Sequence, residues 1–301
     1  MPGRGSSRPC GQRCYMRRGF MAGKRERQRF GCGEAVKARR MGVFMEIEVT
    51  GIKKAYARKK VLTDITFSLG AGSCAAILGS NGSGKSTLLS ILAGVRRADG
   101  GSFYVQGRPN EIGQQADGGP ARGQGEIHPG RVRGTDLLRH PGQIPKVLGY
   151  VPQGDPLMDE LSAWDNLRMW YDRETLKREL SEGALKLLGI DRFLKTTVRR
   201  MSGGMKKRLS IGCAVVSRPG ILLLDEPSAA LDPVCKENIR EFLDVYRKEG
   251  GIVLMATHDA QDLELCNVCY VLKEGRLHPW QYDGDFHRLA EELCEKRGHS
   301  L

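Results

Sequence analysis

The sequence predicts an α/β protein with a largely parallel central sheet. Short, uninterrupted apolar runs at Cys74 to Leu78, Ile221 to Leu224 and Ile252 to Ala256 read as strands buried on both faces. Segments of helical period stand between them, and a glycine-rich loop follows the first run directly, at the start of a helix. The 301 residues suffice for one large α/β domain or two small ones.

Taken in order, residues 1–44 are rich in Gly and Arg, show no sustained periodicity and read as a disordered basic extension. A transit peptide would need an amphipathic pattern that is missing, and a basic arm could bind nucleic acid or anionic lipid. Order begins abruptly at Met45, so the expectation is an over-extended start, with translation beginning at Met41 or Met45. Met45, Ile47 and Val49 then alternate with Glu46, Glu48 and Thr50, the pattern of a half-buried strand. A second strand at Ile65 to Leu69 leads through Gly70-Ala71-Gly72 into Cys74 to Leu78. Beyond the glycine-rich loop, Leu88, Leu89, Ile91 and Leu92 give a helix its apolar face, and Ser102 to Val105 returns to strand.

Residues 108–145 hold eight Gly and five Pro, which predicts a long flexible loop. Ser162 to Leu188 and Gly203 to Val216 read as helical. Asp232-Pro233 pairs an N-cap acid with proline at the first helical position, and Ile239, Phe242, Leu243 and Tyr246 fall on one face of the helix that follows. A strand at Ile252 to Ala256, a short helix at Gln261 to Leu265, a strand at Val268 to Leu272 and a last helix at Phe286 to Lys296 complete the order.

Composition narrows the function. The formal charge is +13, but residues 1–44 carry 12 Lys and Arg against Glu26 and Glu34, so the body is nearly neutral and shows no general nucleic-acid surface. The apolar runs fall far short of the roughly 18 to 20 residues that cross a bilayer, so a membrane role must come through a partner. Nine cysteines without a secretory segment read as reduced thiols. Cys266 and Cys269 form a CxxC, yet no second pair stands at ligand spacing, and His128 and His140 stand alone.

Gly79-Ser80-Asn81-Gly82-Ser83-Gly84-Lys85-Ser86 matches GxxxxGK[ST] in the strand-to-helix context its chemistry requires. Glycines let backbone N–H groups converge on phosphate oxygens, the helix N-terminus favours negative charge, Lys85 reaches the β and γ phosphates, and Ser86 ligates Mg²⁺. The apolar strand Ile221 to Leu224 ends in Asp225 and Glu226. If that strand is the parallel neighbour of Cys74 to Leu78, Asp225 lies beside the phosphate loop to hold Mg²⁺ and Glu226 polarises the attacking water.

These motifs stand in one order: Gly79 to Thr87, Gln153 after Tyr150-Val151-Pro152, Met201-Ser202-Gly203-Gly204-Met205, Leu224-Asp225-Glu226-Pro227, Ser228-Ala229-Ala230-Leu231-Asp232, and Thr257-His258-Asp259. In that order they resemble the ATP-binding subunit of ABC transporters over about Met45 to Leu277, and the Ser-Gly-Gly element separates that family from other phosphate-loop ATPases. The resemblance implies a phosphate-loop NTPase fold with an N-terminal antiparallel β subdomain and an α-helical subdomain. It divides the chain into the extension 1–44, an ATPase domain 45–277 and a helical tail 278–301, with an insertion at 108–145 and a helical subdomain at 154–217.

The resemblance also implies roles. Tyr56 stacks on adenine, with an ordinary core or edge tyrosine as the alternative, and Gly79 to Thr87 cradle the phosphates of ATP. Ser86, Gln153 and Asp225 hold Mg²⁺. Glu226 is the general base, Lys85 and His258 grip the γ-phosphate, and Gln153 also touches the attacking water and reports to a transmembrane partner. Ser202, Gly203 and Gly204 bind the γ-phosphate of ATP on an opposite protomer, so the working state is a closed homodimer or heterodimer, and Asp232 links its two sites. Leu161, Trp164, Leu167, Met169 and Trp170 could line a groove for a separate permease subunit at the cytoplasmic face of the membrane, although for any one of them a place in the core is the commoner outcome. Met205, where many relatives carry Gln, points to export. The 68-residue separation of Lys85 from Gln153 exceeds the family's usual length, which marks 108–145 as a surface insertion, either a contact loop or a frameshift product. A non-transport ABC-type ATPase acting on ribosomes, DNA repair, Fe–S assembly or cell division is the second reading. A basic arm acting as a nucleic-acid or lipid tether is the third.

Overall fold

A computed structural model describes residues 45–57, 59–106 and 134–284. The chain opens with strands β1 (Glu46–Tyr56), β2 (Lys59–Gly70) and β3 (Cys74–Leu78), then helix α1 (Lys85–Leu92), β4 (Gly100–Gln106) and β5 (Thr135–Asp136). Helix α2 (Ile144–Val147) and strand β6 (Leu148–Val151) precede helices α3 (Ala163–Arg168), α4 (Arg173–Glu182), α5 (Ala184–Leu187) and α6 (Gly203–Ala214). Strand β7 (Ile221–Asp225), helix α7 (Pro233–Lys248), β8 (Ile252–Ala256), α8 (Ala260–Leu265), β9 (Val268–Lys273) and β10 (Arg276–Trp280) follow.

Among the described residues the strands form one mixed sheet in the order β5-β4-β1-β2-β10-β9-β3-β8-β7-β6. Its first part, β5-β4-β1-β2, is antiparallel, and its other end runs parallel from β9 through β3, β8 and β7 to β6. The two parts meet through β10, which is antiparallel to β9 and touches β2 at the single pair Arg276 and Asp64.

The uninterrupted apolar runs have a simple cause. In β7, Ile221 and Leu223 enter one core with α1 residues Leu88, Leu89, Ile91 and Leu92, while Leu222 and Leu224 enter another with α6 residues Leu209 and Ile211 and α7 residues Ile239, Phe242 and Leu243. Strand β8 divides in the same way, with Leu254 on one side and Met255 on the other. Helices thus cover both faces, so a polar residue within Ile221 to Leu224 or Ile252 to Ala256 would be buried and would need a partner of its own. The fold is α/β.

Four expectations are corrected. Strand β7 is not the neighbour of β3, because β8 lies between them and pairs in parallel with both. The loop expected over 108–145 ends early: Thr135 and Asp136 pair with β4, and Leu137 and Ile144 are buried. The Asp136 carboxylate accepts from the Phe103 and Leu138 amides, a local anchor that Gly and Pro content conceals. Third, the boundary before residue 278 cuts β10, whose His278 and Pro279 pair with Val271 and Tyr270 in an antiparallel hairpin. Fourth, the helical stretch Ser162 to Leu188 is three short helices, interrupted at Met169–Asp172 and at Gly183, whose extended backbone ends α4. Residues 1–44, His128 and the last helix at Phe286 to Lys296 lie outside the described residues.

Candidate functional site

The glycine-rich loop leaves β3 at Leu78 and enters α1 at Lys85. Gly79, Gly82 and Gly84 all have positive φ, at 158°, 78° and 113°. A Cβ at Gly79 would lie 2.7 Å from Ser83 Oγ and 2.9 Å from the Leu272 carbonyl, and one at Gly84 would lie 2.9 Å from Val61. Only glycine fits both the conformation and the space. The Lys85 ammonium is buried inside this loop and donates to the Gly79 carbonyl at 2.7 Å and the Ser80 carbonyl at 3.2 Å. Burial pulls its pKa down, against the nearby carboxylates of Glu226 and Asp225, which pull it up. Among the described residues, Ser83 Oγ is buried with no hydrogen-bond partner.

Asp225 ends β7 on the same edge of the sheet as the loop. Burial raises its carboxyl pKa, and a hydrogen bond with the Ser86 side chain lowers it. Although β8 separates the two strands, their C-terminal ends lie at the same end of the sheet, because all three run in the same direction. Glu226 follows with φ of 52°, the left-handed region that costs a non-glycine residue about 1–3 kcal/mol. Its amide is tied to the Ala256 carbonyl at 2.8 Å. One carboxylate oxygen accepts from Gln153 Nε2 at 3.0 Å, and the other stands 3.6 Å from His258 Nε2. Burial lowers the His258 pKa, Lys85 lowers it further and Glu226 opposes them, a balance that favours the neutral imidazole.

The structure therefore gathers Lys85, Ser86, Asp225, Glu226, Gln153 and His258. Among the described residues, Ser202, Gly203 and Gly204 bond to none of these six. Ser202 caps α6 by accepting from the Met205 amide, and Ser202 and Gly203 are exposed. Gly204 is buried, since a Cβ there would strike Cys235 Sγ of α7 at 2.4 Å. Asp232 caps α7, accepting from the Cys235 amide. Tyr56 stands at the end of β1, 36% exposed, and its hydroxyl accepts from Arg96 at 2.9 Å. Of the residues expected to line a groove, Met169 and Trp170 are exposed at 49% and 61%, Leu161 is exposed at 37%, Trp164 is partly buried, and Leu167 is core.

Three residues escaped the sequence reading. Lys207 of α6 is buried and donates to the Pro152 and Gln153 carbonyls at 3.2 and 3.1 Å, and it pairs with Asp155. Arg96 and Asp262 are the others, and no spacing in the chain marks any of the three. The only trace of Asp262 is an acid beside an apolar residue, Leu263, on a short helix.

The sheet order, with its glycine-rich loop between β3 and α1, defines a phosphate-loop NTPase. The model of the ABC transporter family matches residues 62–229, more than half of the chain. The chain is 31% identical over 251 residues to the Nod factor export ATP-binding protein I of Rhizobium sp. (strain N33), covering 82% of this chain and 73% of that one. It is 29% identical over 237 residues to the linearmycin resistance ATP-binding protein LnrL of Bacillus subtilis (strain 168), covering 77% and 67%. Among solved structures, an ATP binding subunit of an ABC transporter matches with a TM-score of 0.62 at 24% identity, over 84% of this chain and 95% of that one. A dimeric ATP-binding cassette in a post-hydrolysis state with ADP and Pi matches with a TM-score of 0.61 at 23% identity, over 78% and 98%. The chain belongs to the ABC transporter family, as an ATP-binding, ATP-hydrolysing subunit.

Proposed function

We propose that this chain powers export through a separate transmembrane subunit, by ATP-driven closure of two ATPase subunits on each other. One observation carries the dimer: at the N-terminus of α6, Ser202 and Gly203 are exposed and, among the described residues, bond to none of Lys85, Ser86, Asp225, Glu226, Gln153 and His258, while Lys207 further along α6 ties that helix to the Gln153 carbonyl. Its first-turn N–H groups and dipole suit a γ-phosphate bound to another copy. Export is supported by Met205 and by the names of the relatives, which include a Nod factor exporter and a lantibiotic transport protein. Exposed Met158, Leu161, Met169 and Trp170 offer the permease an apolar surface.

In this reading the loop from Gly79 to Thr87 wraps the phosphates, and Lys85 exchanges its two carbonyl partners for phosphate oxygens. Glu226 accepts a proton from the water that attacks the γ-phosphorus, and ADP leaves. Gln153 holds the Glu226 carboxylate in place, and the neutral imidazole of His258 retains one N–H to donate to the γ-phosphate. The oxygens of Ser86 and Asp225, already paired, and the amide oxygen of Gln153 form a hard donor set that fits Mg²⁺. When bound, Mg²⁺ neutralises the charge that develops on the phosphates. Tyr56 offers its exposed ring to adenine.

The transport role is tested by tagging the C-terminus, extracting membranes in mild detergent and identifying what co-purifies. Recovery of a multi-spanning protein in near-equal amount is expected. Recovery only from the soluble fraction, with ribosomal, DNA-repair or Fe–S proteins, would overturn the transport reading and leave the ATPase.

A further inference from the structure

Asp262 is a buried carboxylate that none of the roles above uses. It lies in the first turn of α8, and each of its oxygens accepts from a different loop. Oδ1 accepts from Ser228 Oγ at 2.6 Å, and Oδ2 from Thr257 Oγ1 at 2.5 Å. Ser228 stands two residues after Glu226, and Thr257 directly precedes His258. Thr257 Oγ1 also accepts from the Asp259 amide at 3.1 Å, which fixes the backbone on the far side of His258. Both hydroxyl-bearing residues are buried.

The loop that Asp262 grips is strained. Glu226 and Ala230 both have positive φ, at 52° and 56°, and Ser228 lies midway between them. Such a loop keeps its shape only where its surroundings over-determine it. The tie from Ser228 to Asp262 does so at the middle, and the Glu226 amide bond to Ala256 does so at the start.

From these contacts we propose that Asp262 is a positioning residue, a buried clamp between the Glu226 and His258 loops that sets their side chains in register for hydrolysis. This rests on the roles given above to Glu226 and His258. Asp262 touches neither nucleotide nor water in this account. It acts by holding the Glu226 carboxylate and the His258 imidazole 3.6 Å apart beyond the strand ends. A displacement of about 1 Å in such an arrangement costs about 100-fold in rate. Nucleotide binding rests mostly on the loop from Gly79 to Thr87, which Asp262 does not touch.

The test is steady-state Mg·ATP hydrolysis by the full chain carrying Asp262→Ala, Asp262→Asn, Thr257→Val or His258→Ala, or Asp262→Ala with His258→Ala. The expected result is a kcat about 10- to 100-fold lower for Asp262→Ala, with KM within about two-fold. Thr257→Val, which keeps its shape and removes one tie, should fall part of the way. Asp262→Asn can accept from one hydroxyl and donate to the other, and should recover most of the rate. The double variant should lose less than the product of the two single losses, because the part of the Asp262→Ala loss that is exerted through His258 disappears once His258 is gone, while the part exerted through the Glu226 loop remains. A merely structural role would give additive losses in that cycle. If Asp262→Ala does not fold, Thr257→Val against His258→Ala decides in the same way. Additive losses, or wild-type kcat in Asp262→Ala and Thr257→Val while Glu226→Gln is inactive, would overturn the clamp and leave the site reading intact. Normal hydrolysis by Glu226→Gln would overturn both.

Discussion

The two ends of the sheet are built by different rules. Strand β1, in the antiparallel end, alternates buried Ile47 and Val49 with more exposed Glu46 and Glu48, because one face meets the core and the other does not. Strands β3, β7 and β8 at the parallel end are buried at every position. The antiparallel end supplies Tyr56, a single exposed ring. The parallel end supplies the glycine-rich loop, Asp225, Glu226 and His258, all at or just beyond the C-terminal ends of its strands. Chemistry that needs several side chains fixed against one another is carried by strands that packing holds from both sides.

That contrast can be broken first by core truncation. Leu222→Ala and Leu223→Ala, adjacent in β7 but facing opposite cores, should each destabilise the protein by about 2–5 kcal/mol in urea unfolding. In β1, Ile47→Ala should cost as much, while its neighbour Glu46→Ala should stay within about 0.5 kcal/mol. Equal costs for both β1 neighbours would erase the distinction. Next in size, Lys85→Ala should weaken ATP binding about 100-fold, measured by calorimetry, because two charge-assisted contacts are lost together.

Asp225 sharpens the comparison through pH. Burial lifts its folded pKa above the ordinary 3.8, so its stabilising effect is full below that value and is lost as pH rises through the folded pKa. The nucleotide-free Asp225→Asn variant should therefore melt above wild type at pH 7, with the gap closing toward pH 4, and it should not hydrolyse Mg·ATP. A gap that widens on acidification would show that the carboxylate is stabilised by its neighbours. The smallest effect belongs to the antiparallel end: Tyr56→Ala should raise KM for ATP about 5-fold and leave kcat unchanged, since a partly exposed ring offers stacking alone.

Much of this was legible in the sequence because the physics that dictates it is local. Runs such as Ile221 to Leu224 announce burial on both faces, and Asp232-Pro233 and Ser202 announce helix starts that the structure caps as expected. Strand order was not legible. The insertion of β8 between β3 and β7 depends on pairing between segments far apart in the chain. Strand β5 was hidden by its Gly- and Pro-rich surroundings, and the extension of β1 to Tyr56 by the register shifts after Val49 that interrupt its alternation. The positions of Lys207 and Asp262 follow from tertiary contacts that no short window contains.

The central claim is that one copy holds an incomplete site that ATP completes with a second. Size-exclusion chromatography of Glu226→Gln with and without Mg·ATP tests it most directly. The account predicts a monomer without nucleotide, a stable dimer with Mg·ATP, and hydrolysis at least about 100-fold slower than wild type. A protein that stays monomeric in saturating Mg·ATP while hydrolysing it at the wild-type rate would contradict both the shared site and the role of Glu226.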